Sequence, residues 1–321
     1  MHVVGIDCAK ASFDIAVQLP GDKYRTKAKL PNAGKGFEEF LAWHAKHAPE
    51  AAVGMEATGI YHEALARHLV VAGLTVFVAN PARIKAFGQS EGVRTKNDRV
   101  DAKLIARYFQ IQRPEKLHPY VPPTVAEAKL RALVRRRDDL TEMRRMELNR
   151  LEVSNEAVKA GIQTVIDTLE EQIRRVEKAI KDHIDSGPDL RQRQDLLTSI
   201  PGIAGISSAQ LMAMLGDLRQ YTDVRQIVAH AGLNPAQRQS GNHEGRARIS
   251  RIGDARLRAK LHMPALVARK HNPILKAFSE RLKERGKPHK VAMCALMRKL
   301  LHIIWGVVRN GRPFDPEIAL A

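Results

Sequence analysis

Cysteine is nearly missing from this chain. Only Cys8 and Cys294 occur in 321 residues, with no CxxC spacing. That excludes a disulfide framework and a cysteine-rich zinc module, and it fits a reducing compartment. Long apolar runs are missing too. The longest near the C-terminus, Ile303-Ile304-Trp305-Gly306-Val307-Val308, is far too short to span a bilayer. Met1 leads almost directly into an apolar strand, without the pattern of a signal peptide. A soluble, cytoplasmic protein with no membrane association is expected. Negative charge is also scarce. Asp and Glu total 35 against 53 Lys and Arg, a formal net charge of +18. The excess clusters rather than spreading evenly, which is the footprint of a phosphate-backbone binder. A hydrophobic share of 44% allows a real core, and the length suits about two or three domains.

The first 118 or so residues read as α/β. Strands are expected at His2–Asp7, Ser12–Leu19 and Tyr24–Leu30, then a helix at Gly36–His47. A strand at Ala51–Met55, a helix at Tyr61–Ala72 and a strand at Thr75–Val78 follow, ended by Asn80-Pro81. Three successive strands followed by αβαβ is the order used by ribonuclease H and RuvC-type folds. Another helix begins near Asp98, and Pro114, Pro119, Pro122 and Pro123 mark a first boundary. Thr124–Asp185 is charged and helical. Val158, Ile162, Val165, Leu169, Ile173, Val176 and Ile180 repeat at spacings of three and four, close to a coiled-coil seam. Gly161 is expected to divide it into two helices. Ser186-Gly187-Pro188 is a second linker, and residues 189–321 read as nearly all helical.

Within this basic chain, carboxylates sit at the ends of apolar runs. Asp7 closes His2-Val3-Val4-Gly5-Ile6-Asp7, and Glu56 closes Ala51-Ala52-Val53-Gly54-Met55-Glu56. Asp98 and Asp101 stand three apart on one helix face. Divalent magnesium prefers hard oxygen ligands. Two such ions about 4 Å apart can stabilise both oxygens exchanged in phosphoryl transfer. Each acid alone has a plainer use. Asp7 and Glu56 could end strands or cap loops, and Asp98 and Asp101 could complement a helix N-terminus capped by Asn97. Together they are better explained as a metal site, with Arg94-Thr95-Lys96 as a basic approach for DNA phosphate.

The second informative stretch runs from Gly232-Leu233-Asn234-Pro235 through Arg238-Gln239-Ser240-Gly241-Asn242-His243. Arg246, Arg248, Arg251, Arg256, Arg258 and Lys260 follow. A Gly-flanked Ser240 is by itself no more than a turn residue, and no Ser/His/Asp triad is evident. The arginines suit phosphate clamping. Upstream, Ser199-Ile200-Pro201-Gly202-Ile203-Ala204-Gly205 resembles a helix-hairpin-helix turn, whose backbone amides meet DNA phosphate.

With these residues assembled, the chain resembles the bacterial insertion-sequence transposases that join an N-terminal RuvC-like DEDD domain to a C-terminal serine-bearing domain, the bridge-RNA-guided serine recombinases. Gly5-Ile6-Asp7 with Lys10 matches the first motif. Gly54-Met55-Glu56-Ala57-Thr58-Gly59 with Tyr61 matches the second, and Lys96-Asn97-Asp98-Arg99-Val100-Asp101-Ala102 the third. Ile200-Pro201-Gly202-Ile203, Ala231-Gly232-Leu233-Asn234-Pro235, Ser240-Gly241, Ile249-Ser250-Arg251-Ile252-Gly253 and Asn272-Pro273 follow in family order. The resemblance implies that Asp7, Glu56, Asp98 and Asp101 bind Mg2+, for which Mn2+ can substitute. It implies that Ser240 attacks DNA and becomes joined to a phosphate. It also implies a homo-oligomer, dimer or tetramer, acting on donor and target DNA under a structured bridge RNA.

The expected architecture is therefore an α/β RuvC/RNase H-like domain at 1–122, a helical coiled-coil region at 123–187, and a mainly α serine-bearing domain at 188–321 with a helix-hairpin-helix-like element. Lys10, Arg94, Lys96, Gly202, Arg238, Arg246, Arg248 and Arg251 are the expected nucleic-acid contacts. Two other readings stay open: a RuvC-like endonuclease that hydrolyses DNA with water, and a non-catalytic nucleic-acid-binding protein.

Overall fold

The structure is a computed structural model. It describes the chain apart from residues 1, 22, 93–97, 114, 116, 237–238, 241–242, 245–247, 251 and 318–321, and describes only the backbone at 98, 99, 239, 240, 243, 244 and 248. The chain divides into two compact units, Met1–Pro122 and Pro123–Ala321.

In the N-terminal unit, β1 (Val3–Cys8), β2 (Ser12–Gln18) and β3 (Tyr24–Pro31) are followed by α1 (Gly34–His47), β4 (Ala52–Glu56), α2 (Glu63–Val71), β5 (Val76–Ala79), α3 (Pro81–Ser90) and α4 (Asp98–Ile111). The sheet order is β3-β2-β1-β4-β5. β1 runs antiparallel to β2 and parallel to β4, and β4 is parallel to β5. This mixed α/β sheet is consistent with the expected RNase H-like domain. The central strands are buried on both faces, as a helix-covered sheet requires. Val4, Ile6 and Cys8 join Phe37, Phe40 and Trp43 of α1 and Leu65 and Leu69 of α2 on one face. Val3 joins Ile84 of α3 and Ile105, Tyr108 and Phe109 of α4 on the other. α3 is absent from the sequence expectation. Asn80-Pro81 both ends a strand and starts a helix: the Asn80 side chain accepts the Ala82 N–H at 2.8 Å. Proline at the first helical position gives up no helical hydrogen bond.

The C-terminal unit opens with two long helices, α5 (Val125–Val153) and α6 (Glu156–Ser186). A reciprocal Thr124/Glu127 capping box starts α5. The break between the helices falls at Ser154-Asn155, not at Gly161 as the sequence suggested. Asn155 caps α6 by accepting the Ala157 N–H at 3.0 Å, while Gly161 lies inside α6 with nothing near its Cβ position. A single exposed helical glycine costs only about 1 kcal/mol, less than a helix break needs. The pairs Arg137–Glu177 and Arg144–Glu170 join the helices. Their numbers step in opposite directions, so the helices are antiparallel. The buried stripe of α6 runs through Ile166, Leu169, Ile180 and Ile184. Val158 and Val165, assigned to the seam from sequence, are exposed.

α7 (Pro188–Thr198), α8 (Gly205–Leu215) and α9 (Val224–His230) come next. They are followed by four two-residue strands: β6 (Pro235–Ala236), β7 (Gln239–Ser240), β8 (His243–Glu244) and β9 (Arg248–Ile249). β6 pairs with β9 and β7 with β8. These nested ladders correct the nearly all-helical expectation; strands of two residues carry no readable periodicity. α10 (Ala255–His271), α11 (Pro273–Glu284) and α12 (His289–Asn310) complete the unit. α12 is long and apolar enough to cross a membrane by length and composition. Here its Leu296, Leu300, Leu301 and Ile304 are wholly buried in the core shared by Leu130 and Val134 of α5 and Ile180 and Ile184 of α6.

A buried charge network staples α5 to α7. Arg193, 6% exposed, donates to Glu127 at 2.8 Å and pairs with Asp189. Asp189 also accepts from Arg219 at 2.9 Å. Burial pushes the Glu127 carboxyl up, but hydrogen bonds from Arg193 and Thr124 outweigh it and hold the group below the usual glutamate value. Arg193→Ala should lose about 3–5 kcal/mol in urea unfolding at neutral pH, because it strands a buried carboxylate. Glu127 is stabilising above its unfolded pKa, and that contribution is lost as pH falls through its lowered folded value. The deficit of Arg193→Ala should therefore shrink below about pH 4.

Candidate active site

Alternation along β1 puts Val3, Gly5 and Asp7 on the face covered by α4. On β4, Ala52, Gly54 and Glu56 take that same face. The two strands are parallel, with Gly5 beside Gly54 and Ile6 beside Met55. One step further along each strand brings Asp7 beside Glu56. The paired glycines let α4 lie flat on the sheet. A Cβ on Gly5 would stand 2.2 Å from the Ala102 carbonyl oxygen, and one on Gly54 2.2 Å from the Phe109 ring. Glycine is needed where backbone or ring approaches a strand this closely. Tyr108 and Phe109 of α4 pack near Val3, at the start of β1, while Ala102 lies over Gly5. The helix therefore runs against β1 and β4, and its N-terminal turns face the end that carries Asp7 and Glu56. Asp101 precedes buried Ile105 by four residues and so belongs to the sheet-facing stripe, while Asp98 lies in the first turn of the same helix.

Asp7, Glu56 and Asp101 are each half-buried. Asp14, which the sequence reading passed over, stands directly opposite Asp7 on β2. It is 6% exposed and accepts the Lys29 N–H at 2.7 Å. Lys29 has φ 58° beside a shift in the β2–β3 register. The Asp14 carboxylate thus takes up an amide that the bulge removes from the ladder. Its signal in the sequence was the polar alternation of Ser12, Asp14 and Gln18. Burial, reinforced by the charge of Asp7, pushes the Cys8 thiol up to about 12, so Cys8 stays a neutral core residue rather than a nucleophile.

Asp7 and Glu56 at the strand ends and Asp101 on α4 supply hard carboxylate oxygens, the donor type that suits a divalent cation. Among the described residues, no three Asp, Glu, His or Cys side chains already stand close enough to hold an ion; the Asp98 side chain lies outside that description.

In the C-terminal unit, Ser240 of β7 pairs in register with His243 of β8. The sequence placed Ser240 in a loop; it lies in a short strand. Arg248 lies in β9, whereas Arg94, Lys96, Arg238, Arg246 and Arg251 fall outside the described residues, as does Asn97. Lys10 is exposed in the turn after β1. Two of the basic residues grouped with the phosphate clamp have internal work instead. Arg258 donates to the Ala231 carbonyl at 2.9 Å, and Lys260 donates to Asp138 at 2.7 Å. Gly202 has φ 107°, and its Cβ position would meet Ala268 of α10 at 2.6 Å. That close packing accounts for the glycine.

An RNase H-like sheet with acids gathered at one end defines a DEDD-type, RuvC-like domain, a class that depends on divalent metal. Residues 4–154 match the DEDD transposase model of the IS110 group, described as "Transposase". Residues 194–280 match the model described as "Transposase IS116/IS110/IS902 family". The pilin gene-inverting protein of Moraxella lacunata is 32% identical over 320 residues, covering 98% of each chain. The transposase for insertion sequence element IS1328 of Yersinia enterocolitica is 29% identical, also covering 98% of each. The transposase for insertion sequence element IS1111A of Coxiella burnetii is 26% identical over 279 residues, 75% of this chain and 73% of that one. The chain belongs to the IS110/IS116 family of transposases, enzymes of DNA transposition.

Glu56→Gln should lower DNA strand cleavage by on the order of 10²-fold or more, measured on end-labelled DNA, while the thermal unfolding midpoint stays within a few degrees of the parent. Chelation of divalent ions should abolish the same cleavage, and adding back a divalent cation should restore it.

Proposed function

We propose that this transposase moves its element by cleaving and rejoining DNA through a covalent serine–phosphate intermediate. What supports the metal half of this reading is the parallel register of β1 and β4, with Ile6 beside Met55, which carried one step further brings Asp7 level with Glu56. Asp7, Glu56, Asp98 and Asp101 hold Mg2+, with Mn2+ as a substitute. A cation bound there supplies positive charge to the attacking and leaving oxygens of the scissile phosphate.

The Ser240 hydroxyl oxygen forms a bond to phosphorus as the bond from phosphorus to the deoxyribose oxygen breaks. The serine proton passes to solvent, and the departing sugar oxygen takes one up. The phosphoester is kept on the protein, so rejoining needs no outside energy source. The name of the Moraxella relative, a gene-inverting protein, supports rejoining over simple hydrolysis, since inversion requires every cut to be resealed. Arg238, Arg246, Arg248 and Arg251 neutralise phosphate charge near Ser240, while Lys10, Arg94 and Lys96 do so near the carboxylates. The turn at Gly202 leads into α8, whose first backbone amides are suited to a DNA phosphate in the manner of a helix-hairpin-helix.

In this reading residues 1–122 are the RuvC-like catalytic domain, 123–187 a coiled coil that joins subunits into a dimer or tetramer, and 188–321 the serine-bearing domain. Exposed Val158 and Val165 on α6 would offer apolar contacts to a second copy. A structured bridge RNA selects donor and target DNA by base pairing, leaving the protein to hold backbone and shape.

Trapped reactions on a denaturing gel test the serine step. Wild-type protein should carry labelled DNA covalently, Ser240→Ala should carry none, and Asp7→Ala should carry none. Unchanged cleavage by Ser240→Ala without an adduct would favour hydrolysis by water. Sequencing of copurified RNA should return one structured non-coding species; a mixture resembling total cellular RNA would contradict the guide.

A further inference from the structure

The described part of the N-terminal unit has one place where two large apolar side chains stand exposed as sequence neighbours: Ile60, 54% exposed, and Tyr61, 38% exposed. They lie in the loop Ala57–His62, which leaves β4 directly after Glu56. The loop is built rather than slack. Gly59 turns it with φ 51°. Tyr61 N–H donates to the Thr58 carbonyl at 3.0 Å, and Glu63 N–H to the Ile60 carbonyl at 3.3 Å. At its far end the His62 ring is buried, 7% exposed.

One side chain ties this loop to the turn that leaves β1. The Asn32 amide donates to the Tyr61 carbonyl and to the Ala9 carbonyl, each at 2.9 Å. Two carbonyl acceptors require the NH2 group at that position, so the amide orientation is fixed. Asn32 N–H also donates to the Ala11 carbonyl at 3.0 Å, and Ala9 N–H to the Ser12 carbonyl at 2.9 Å. The turn between them carries exposed Lys10. A cation and an aromatic–aliphatic pair are thus presented from two clamped segments, one leaving β1 just past Asp7 and the other leaving β4 at Glu56.

We propose that the Ala9–Ala11 turn and the Ala57–His62 loop form a platform for an unpaired nucleotide of the DNA strand being processed: Lys10 takes its phosphate, and Tyr61 with Ile60 takes the face of its base. The proposal rests on the reading that the acidic edge acts on DNA. A phosphate gains nothing from Ile60 or from the face of a phenol ring, and a paired base hides its faces in the stack. An unpaired base offers both a charge and a π-face, the combination that binds single strands without reading sequence. Because hydrogen bonds already order both segments, binding loses little further entropy there.

Photocrosslinking of the full-length protein to a DNA oligonucleotide carrying 5-iododeoxyuridine tests it, with the crosslinked residue mapped by mass spectrometry. Single-stranded DNA should crosslink at Tyr61, and the same sequence as a duplex should do so several-fold less. Tyr61→Phe should keep the yield. Tyr61→Ala should lower affinity for the oligonucleotide about tenfold, with Mn2+ binding by electron paramagnetic resonance unchanged. Asn32→Asp, which sets a carboxylate against two carbonyls, should reduce crosslinking although Tyr61 is intact. Crosslinks elsewhere with none in 57–62, equal yield from duplex, wild-type affinity in Tyr61→Ala, or crosslinking to RNA but not to DNA would each overturn the platform. Crosslinking needs no catalysis, so it stands or falls separately from the catalytic reading, which an Asp7→Ala protein that still cleaved DNA would contradict.

Discussion

The N-terminal unit depends on the close approach of α4 to two strands over Gly5 and Gly54. Neither a wider sheet-to-helix gap nor a different helix direction would bring the start of α4 to the ends of β1 and β4. The two glycines sit side by side in the parallel register, each two residues before a carboxylate. Gly5-Ile6-Asp7 and Gly54-Met55-Glu56 are therefore one device used twice. Gly5 admits the backbone of α4 and Gly54 its Phe109 ring, the middle residue of each triplet packs into the opposite core, and the acid follows at the end of the strand. The apolar face of α4 supplies the driving force through Ile105, Tyr108 and Phe109. Its acidic start is held there only because that face is buried.

The C-terminal unit is organised by a different constraint. Its apolar core is large, but its long helices are highly charged, and charges that enter the core are paired. Arg193 serves Glu127 and Asp189 at once, while Asp138 accepts from Gln210 and Lys260. These bonds fix the base of the helical pair to α7, α8 and α10, and leave its outer half carrying Arg–Glu pairs on the surface. Such exposed pairs add little stability each.

Much of the candidate site could be read from the chain. An acid that ends an apolar strand, twice, next to a helix opened by two more acids, is a local pattern. The fold order was legible for the same reason, because strands and amphipathic helices announce themselves by period. What stayed hidden is long-range. Nothing around Asn32 marks it as a clamp, since its partners are carbonyls of Ala9 and Tyr61. Asp14 reads as ordinary strand polarity until its pairing with Asp7 is known. Arg258 and Lys260 look like part of a basic run, but their partners lie far away in sequence. Ser154-Asn155 was passed over as a helix break because Gly161 is the more conspicuous residue, although capping by Asn155 costs less than bending at an exposed glycine. The two-residue strands around Ser240 are too short to carry any pattern.

In the function proposed above, Asp7, Glu56 and the acids of α4 meet one divalent cation because α4 is seated on Gly5 and Gly54. Anomalous diffraction from crystals grown with Mn2+ tests it most directly. The account predicts a manganese peak at the shared end of β1 and β4, with carboxylate oxygens of Asp7, Glu56 and at least one of Asp98 and Asp101 within roughly 2.2 Å. A peak bound elsewhere, or one at that edge that no α4 carboxylate reaches, would contradict it.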